Sequence, residues 1–99
     1  MTFVTGTTTV TTAGTRVQVR NTNDKVLSAR FRAKPGNTGN AAVGDSTVSM
    51  TNGWTLVNAA VAPHEQFNFR EFQGSVLASV FYVDAATNGD KVEWAMIVA

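Results

Sequence analysis

The sequence predicts an all-β domain, a single small β-sandwich or jelly-roll-like barrel of eight or nine short antiparallel strands. Composition is the first reason: the 99 residues include 14 Val and 14 Thr against 3 Leu and 1 Ile, and Val and Thr suit pleated, half-buried strands. The second reason is a two-residue alternation of apolar and polar side chains in several segments. The third is the recurrence of Asn-Gly and Pro-Gly pairs, which mark tight turns.

Length, charge and cysteine content exclude several classes of protein. A chain of 99 residues has the size of one domain. It contains no cysteine, so disulfides, zinc-thiolate sites and cysteine nucleophiles are impossible. Its net charge of +1 is far from that of a general nucleic-acid binder, and no apolar run could span a bilayer. With no signal-peptide pattern at the start, we expect a soluble protein folded in a cytoplasm, with neither nucleic acid nor membrane as partner.

The beginning of the chain differs from the rest. Residues 2–14 are dominated by Thr, with Phe3, Val4 and Val10 as the sizeable apolar groups. We expect residues 1–14 to form an extended segment, either a first strand or an arm whose backbone pairs with a neighbouring chain. Residues 15–99 are expected to form the single β-sandwich domain.

Two alternating segments, residues 15–20 and 26–33, predict a hairpin. Thr15, Val17 and Val19 share one face of the first segment, and Leu27, Ala29, Phe31 and Ala33 share one face of the second. For the apolar faces to coincide, the loop must be odd in length, which favours residues 22–24 as the turn. In this register Arg16 faces Arg30, and a basic cluster projects from the opposite face: Arg16, Arg20, Arg30 and Arg32. Such a cluster borders acids such as Glu65, Glu71 or Glu93, or meets an acidic surface on another molecule. The alternative is a solvated face without a partner.

The remaining strands and the core follow from the same patterns. We expect strands over 41–44, 47–50, 66–72, 76–85 and 91–98 and another that begins at Trp54, with one helical turn possible over 59–62. The predicted buried residues are Val17, Val19, Leu27, Phe31, Val43, Phe67, Phe69, Phe81, Val83, Trp94 and Met96.

Candidate catalytic and metal-binding groups are sparse. His64 is the sole histidine, and neither a triad nor a metal site can be built around it without partners. The segment from Asp84 to Asp90 resembles the start of a calcium loop, but Ala86 and Ala95 replace expected carboxylate ligands. A type I′ hairpin at Asn88-Gly89 is the favoured interpretation. We expect no enzyme activity, no cofactor and no metal.

Several blocks of sequence nevertheless resemble a known group of proteins. They are residues 10–19 (VTTAGTRVQV), 37–40 (NTGN), 43–49 (VGDSTVS), 52–53, 82–85 (YVDA) and 88–89. In order and spacing they resemble the small β-sandwich virion structural proteins of tailed bacteriophages. The resemblance implies a non-enzymatic head decoration or cement protein located in the virion. It further implies the major capsid protein or other virion subunits as partners, and a homo-oligomer in which a trimer is favoured.

The sequence also suggests which residues meet the partner. They are the four arginines of the basic cluster together with Thr7, Thr8 and Thr9 of the amino-terminal segment. A receptor- or carbohydrate-binding module of a phage tail or fibre is the alternative function. Its signature would be exposed aromatic side chains, for which Trp54 and Tyr82 are the candidates.

Overall fold

Strands dominate the backbone, as a sequence rich in Val and Thr should produce. The computed structural model describes residues 2–58, 67–70 and 76–99, with 67–70 described by their backbone alone. The prediction of an all-β chain is confirmed. The strands are β1 (Thr2–Thr9), β2 (Val17–Gln18), β3 (Val26–Ala33), β4 (Ala41–Gly44), β5 (Trp54–Leu56), β6 (Phe67–Arg70), β7 (Tyr82–Ala85) and β8 (Lys91–Val98). Among the described residues, no helix has the length and apolar character needed to cross a membrane.

The strands form two antiparallel sheets with the core between them. Sheet A has the order β1-β8-β3-β6, and sheet B has the order β2-β7-β4-β5. Apart from the β4–β5 hairpin, every step along the chain crosses from one sheet to the other. Within the described ranges seven strands reach three residues or more, fewer than the eight or nine expected, and the sheets do not close into a barrel.

The predicted hairpin between residues 15–20 and 26–33 is wrong. β2 belongs to sheet B, where Val17 pairs with Val83, whereas β3 lies in sheet A between β8 and β6. The polar residues between β2 and β3 therefore carry the chain across the sandwich. Alternation shows which side chains share a face of one strand, but it does not identify the neighbouring strand. Consequently Arg16 does not face Arg30.

The core contains most of the apolar residues predicted for it. Seven of them are buried: Val19, Phe31, Val43, Phe81, Val83, Trp94 and Met96. Val17 and Leu27 are only half-buried, and the side chains of Phe67 and Phe69 lie outside the described part of the molecule. Besides several alanines, the prediction omitted six valine and leucine residues that are at most 4% exposed: Val10, Val26, Val48, Leu56, Val92 and Val98.

A β-bulge explains why Val26 rather than Leu27 enters the core. The pairing of β3 with β8 shifts register between Val26 and Ser28. The buried positions of β3 are Val26, Ala29, Phe31 and Ala33, so two residues rather than one lie between the first pair. One extra residue reverses the alternation of a strand, so Leu27 leaves the inward face.

Three further predictions of local structure need correction. Residues 47–50 are not a strand but part of a turn region with an isolated Ser49–Asn52 bridge. Of residues 76–85, only the last four form a strand, and a 3-10 turn at Ala78–Val80 precedes it. Asn88-Gly89 does turn the chain, with Gly89 at a φ of 83°, but it joins β7 of sheet B to β8 of sheet A rather than closing a hairpin. The helical turn predicted over 59–62 and the loop around His64 lie outside the described residues.

Candidate partner-binding surface

The structure divides the predicted basic cluster into two pairs. Arg30 and Arg32 project from β3 on the side of sheet A that faces away from the core, and both are exposed. Arg16 and Arg20 flank β2 in the other sheet. The cause is the crossing between β2 and β3, which separates segments that the sequence pattern had placed side by side.

Arg20 has a local structural role. Its guanidinium lies 3.2 Å from the Asp24 carboxylate, and the Thr22 hydroxyl donates to the same oxygen at 3.0 Å. Arg20 is half-buried, and its Nε has no hydrogen-bond partner in the described part of the chain. The guanidinium therefore holds the β2–β3 crossing rather than presenting itself to a partner.

The outward side of sheet A, here called the outer face, carries a concentrated positive charge. In antiparallel pairing, residues directly opposite each other point to the same side. Arg32 therefore lies beside Glu93 of β8, and Arg30 lies beside Ala95. The described residues contribute four cations against one carboxylate, which gives a net charge of +3: Arg30, Arg32, Lys34 and Lys91 against Glu93. This local charge exceeds the +1 of the whole chain.

Glu93 is the acid at the centre of this face, as one of the sequence alternatives anticipated. Its Oε1 accepts a hydrogen bond from Arg32 Nε at 2.9 Å, and its Oε2 accepts one from Lys34 Nζ at 3.2 Å. Desolvation alone would raise the pKa of Glu93, but the hydrogen bonds from Lys34 and Arg32 together outweigh it and lower that pKa. The other acids considered for this role, Glu65 and Glu71, lie outside the described residues.

Two hollows adjoin each other on the outer face. The first has a volume of about 420 Å³ and lies between Thr5 and Thr7 of β1 and the two arginines of β3. The second, about 310 Å³, lies beside Phe3 and Ile97. Both are lined by Ala95, whose small side chain leaves space between longer neighbours on β1 and β3. The outer face is therefore a trough along β8, not a flat plane.

The predicted threonines point in two directions. Thr7 and Thr9 are exposed, whereas Thr8 is only 8% exposed and faces the core. The Thr8 hydroxyl accepts a hydrogen bond from the Trp94 indole Nε1 at 3.1 Å. The Thr8 side chain is thus committed to the core side of the sheet, and only Thr7 and Thr9 offer hydroxyls to a partner.

Trp94 also explains how a Thr-rich strand is held in place. Gly6 pairs with Trp94 in the β1–β8 ladder, and a Cβ added at Gly6 would lie 2.5 Å from the indole ring. The ring therefore occupies the space that a side chain at residue 6 would fill. Together with the bond to Thr8, this contact fixes the register of β1 on β8.

Two buried carboxylates in the segment that resembles a calcium loop bind backbone amides. Asp84 Oδ1 accepts hydrogen bonds from the N–H groups of Gly14 at 3.0 Å and Ala85 at 2.8 Å. Asp90 accepts bonds from the N–H groups of Thr38 at 3.0 Å and Gly39 at 2.8 Å. Over the described ranges, no three His, Cys, Asp or Glu side chains lie close enough to hold a metal ion. These carboxylates fasten loops to one another.

The sequence prediction missed Phe3 and Ala95 as parts of the surface. Phe3 is 68% exposed on the outer face, where it pairs with Ile97. The available signal was the alternation in β8, which assigns Lys91, Glu93, Ala95 and Ile97 to one side. This alternation identifies the surface residues only once β8 is known to lie between β1 and β3.

Comparison of the chain with models of protein families, with curated proteins and with solved structures found no match.

Proposed function

We propose that this chain is a non-enzymatic structural protein of a bacteriophage virion, a decoration or cement protein that binds and stabilises the assembled head. The observation that carries the proposal is the outer face of sheet A, whose described side chains have a net charge of +3 and which has a trough beside an edge strand. Such a surface suits the acidic face of another protein, because complementary charge guides approach and orientation.

The arrangement of the strands supports this assignment. We interpret the orders β1-β8-β3-β6 and β2-β7-β4-β5, which include the two-residue β2, as a jelly-roll-like arrangement. Jelly rolls occur in viral capsid and lectin domains, among others. A fold alone does not determine a function, so this support is secondary to the surface and agrees with the virion resemblance of the sequence.

The trough suggests how a capsid subunit would be bound. Arg30 lines both hollows, and Ala95 leaves room for a side chain entering from outside. A carboxylate of the major capsid protein placed here would meet Arg30 and the guanidinium of Arg32. Exposed ion pairs contribute at most about 1 kcal/mol each, so several such contacts would set orientation and association rate more than total affinity.

Binding of the purified chain to undecorated heads of the phage that encodes it tests the proposal. We expect binding to weaken as salt rises, since charges at the surface are screened. Arg30→Glu should slow association by roughly threefold to tenfold at low salt and flatten the salt dependence. Arg16→Glu is the matched control, because Arg16 is also exposed but lies beside β2 in sheet B. Absence of binding to heads, or equal effects of the two variants, would contradict the proposal.

A carbohydrate- or receptor-binding module is the second candidate, and one observation favours it. Trp54 is 58% exposed on β5, as expected of a side chain that stacks on a sugar ring, whereas Tyr82 is half-buried. A glycan-array signal that Trp54→Ala abolishes without unfolding the domain would favour this function. Head binding that is unchanged in Trp54→Ala would favour decoration.

A further inference from the structure

Among the described strands, β1 is a sheet edge that lacks the usual protection against pairing. Natural edge strands are commonly kept short, charged, interrupted by proline or bulged. β1 has eight residues, contains neither charge nor proline, and pairs with β8 in an unbroken register from Thr2 to Thr9. The other sheet edges, β2, β5 and β6, are two to four residues long. A long, regularly paired and uncharged edge is suited to accepting another strand.

The hydrogen bonds around β8 identify which groups of β1 are unpaired. Val10 N–H donates to the Asp90 carbonyl at 2.9 Å, so the backbone of Val10 points toward β8. Lys34 N–H donates to the Lys91 carbonyl at 3.0 Å, so the backbone of Lys91 points the other way, toward β3. Because these directions alternate along an antiparallel ladder, the even residues of β1 face β8. The N–H and C=O groups of four residues then point to the open edge: Phe3, Thr5, Thr7 and Thr9.

We propose that this edge binds the β1 edge of a second copy of the chain, so that the two copies share one continuous antiparallel sheet. A twofold axis at Gly6 places Phe3 opposite Thr9 of the second copy and Thr5 opposite its Thr7. Each of the four resulting pairs forms two backbone hydrogen bonds. No outward N–H or C=O group of these four residues then remains unpaired.

Self-complementarity is the reason for choosing a second copy over another occupant. The strand has no charge, so bringing two copies together opposes no like charges. Thr-Thr pairs directly opposite each other are favourable in sheets, and this register creates such pairs at the centre. Phe3, 68% exposed in the single chain, would be covered by Thr9 of the other copy. Side chains of β1 that face the core keep that orientation in both copies.

This pairing goes beyond the proposed function and does not depend on it. A strand pair about a twofold axis is isologous, so it closes at two copies. The free protein is therefore assigned as a dimer, in place of the trimer implied by the sequence resemblance. The outer face of each copy, with Arg30 and Arg32, lies on the same side of the shared sheet. Head binding and dimerisation can consequently be measured separately.

The first test is the mass of the purified chain by light scattering over a range of concentrations. We expect twice the 10.5 kDa chain mass. Thr5→Pro removes an outward N–H while sparing the ladder to β8, a position at which edge strands tolerate proline. It should raise the dimer dissociation constant about tenfold or more, because two symmetry-related hydrogen bonds are lost. Thr5→Val is the matched control, since it keeps the N–H and the branched shape, and it should remain dimeric.

The second test examines the register. The chain has no cysteine of its own, so Thr5→Cys and Thr7→Cys can be made as separate proteins and mixed under mild oxidation. Directly opposed hydrogen-bonded residues lie about 5.5 Å apart between Cα atoms, within disulfide range. The mixture should therefore form a linked dimer, whereas each variant alone, two residues out of register, should not. A wild-type monomer or trimer, a dimer unaffected by Thr5→Pro, or failure of the mixture to link would overturn the proposal.

Discussion

Sheet A and sheet B of the same sandwich are held together in different ways. Three strands of sheet A are eight residues long, and β8 pairs along its length with β1 and along most of it with β3. Sheet B has strands of two to four residues. The loops beside sheet B are held instead by polar side chains that bind loop backbone. Asp84 accepts a hydrogen bond from the Gly14 N–H, and the Asn58 amide donates one to the Asn37 carbonyl.

The difference indicates where sequence can vary at low cost in stability. Long ladders and inward apolar residues hold sheet A, so its outer face and its β1 edge can carry whatever side chains a partner requires. The loops beside sheet B are constrained by individual buried acceptors, whose loss leaves N–H groups unpaired. We expect substitutions on the outer face to change binding, and substitutions of loop carboxylates to change folding.

The largest expected effect is at the core that both sheets share. Phe31 of β3 is 1% exposed, and its ring centroid lies 5.2 Å from that of Phe81, which adjoins β7 of sheet B. Phe31→Ala should lower the free energy of unfolding by about 3–5 kcal/mol, measured by denaturant titration. Trp54→Ala is the matched control, because Trp54 is an aromatic residue that is 58% exposed and lies away from the β1 edge, and it should cost less than about 0.5 kcal/mol. Comparable losses in the two variants would contradict the placement of the core.

The second-largest expected effect tests whether a buried carboxylate stabilises the loops beside sheet B. Asp90 is 6% exposed and accepts the N–H groups of Thr38 and Gly39. Asp90→Ala should reduce the free energy of unfolding by about 2–3 kcal/mol, since it leaves two amides without an acceptor. Asp45 also accepts a backbone N–H, from Thr47 at 2.9 Å, but this bond is exposed. Asp45→Ala should therefore cost clearly less, and equal losses would show that burial does not distinguish the two carboxylates.

The third effect tests how β1 is fixed on sheet A. A methyl group at Gly6 would lie 2.5 Å from the Trp94 ring, so the ring or the edge strand must move. Gly6→Ala should destabilise the fold by about 1–2 kcal/mol and change the near-ultraviolet circular dichroism of the indole. Thr7→Ala, on the exposed side of the same strand, should leave that spectrum unchanged. An unaltered spectrum in Gly6→Ala would mean that Trp94 does not rest on β1.

Much of the fold was predictable because its signals are local. Composition and alternation predicted an all-β chain, and β4 and β8 coincide with their predicted ranges. Pairing between sheets was not predictable, because a strand such as β2 has the same alternating pattern whether its neighbour is β3 or β7. The bulge in β3 was also hidden, since the alternation from Leu27 onward fits a regular strand equally well.

The candidate surface was likewise predictable only where the signal lay within one strand. The outward direction of Arg30 and Arg32 was correctly predicted from β3 alone. Their association with Arg16 and Arg20 was wrong, because it required the neighbouring strand to be known. The trough over Ala95 arises from three strands that are distant in sequence, and no pattern within one segment reports a hollow of that kind.

The smallest expected effect on stability comes from the charges on the outer face. If it is small, these side chains can change binding without changing folding. The pKa of Glu93 is lowered in the folded protein, because the hydrogen bonds from Lys34 and Arg32 outweigh desolvation. A lowered carboxyl pKa stabilises the fold above the ordinary value of 4.5, and that contribution is lost as pH falls through the folded pKa. Because these side chains are partly exposed, the contribution at pH 7 should be below about 1 kcal/mol.

Glu93→Gln should therefore be slightly less stable than the wild type at neutral pH and equally stable once pH lies well below 4.5. Denaturant titrations of both proteins at several pH values, in low and high salt, would measure this difference. A stability difference that is independent of pH would mean that Glu93 acts through packing rather than through its charge.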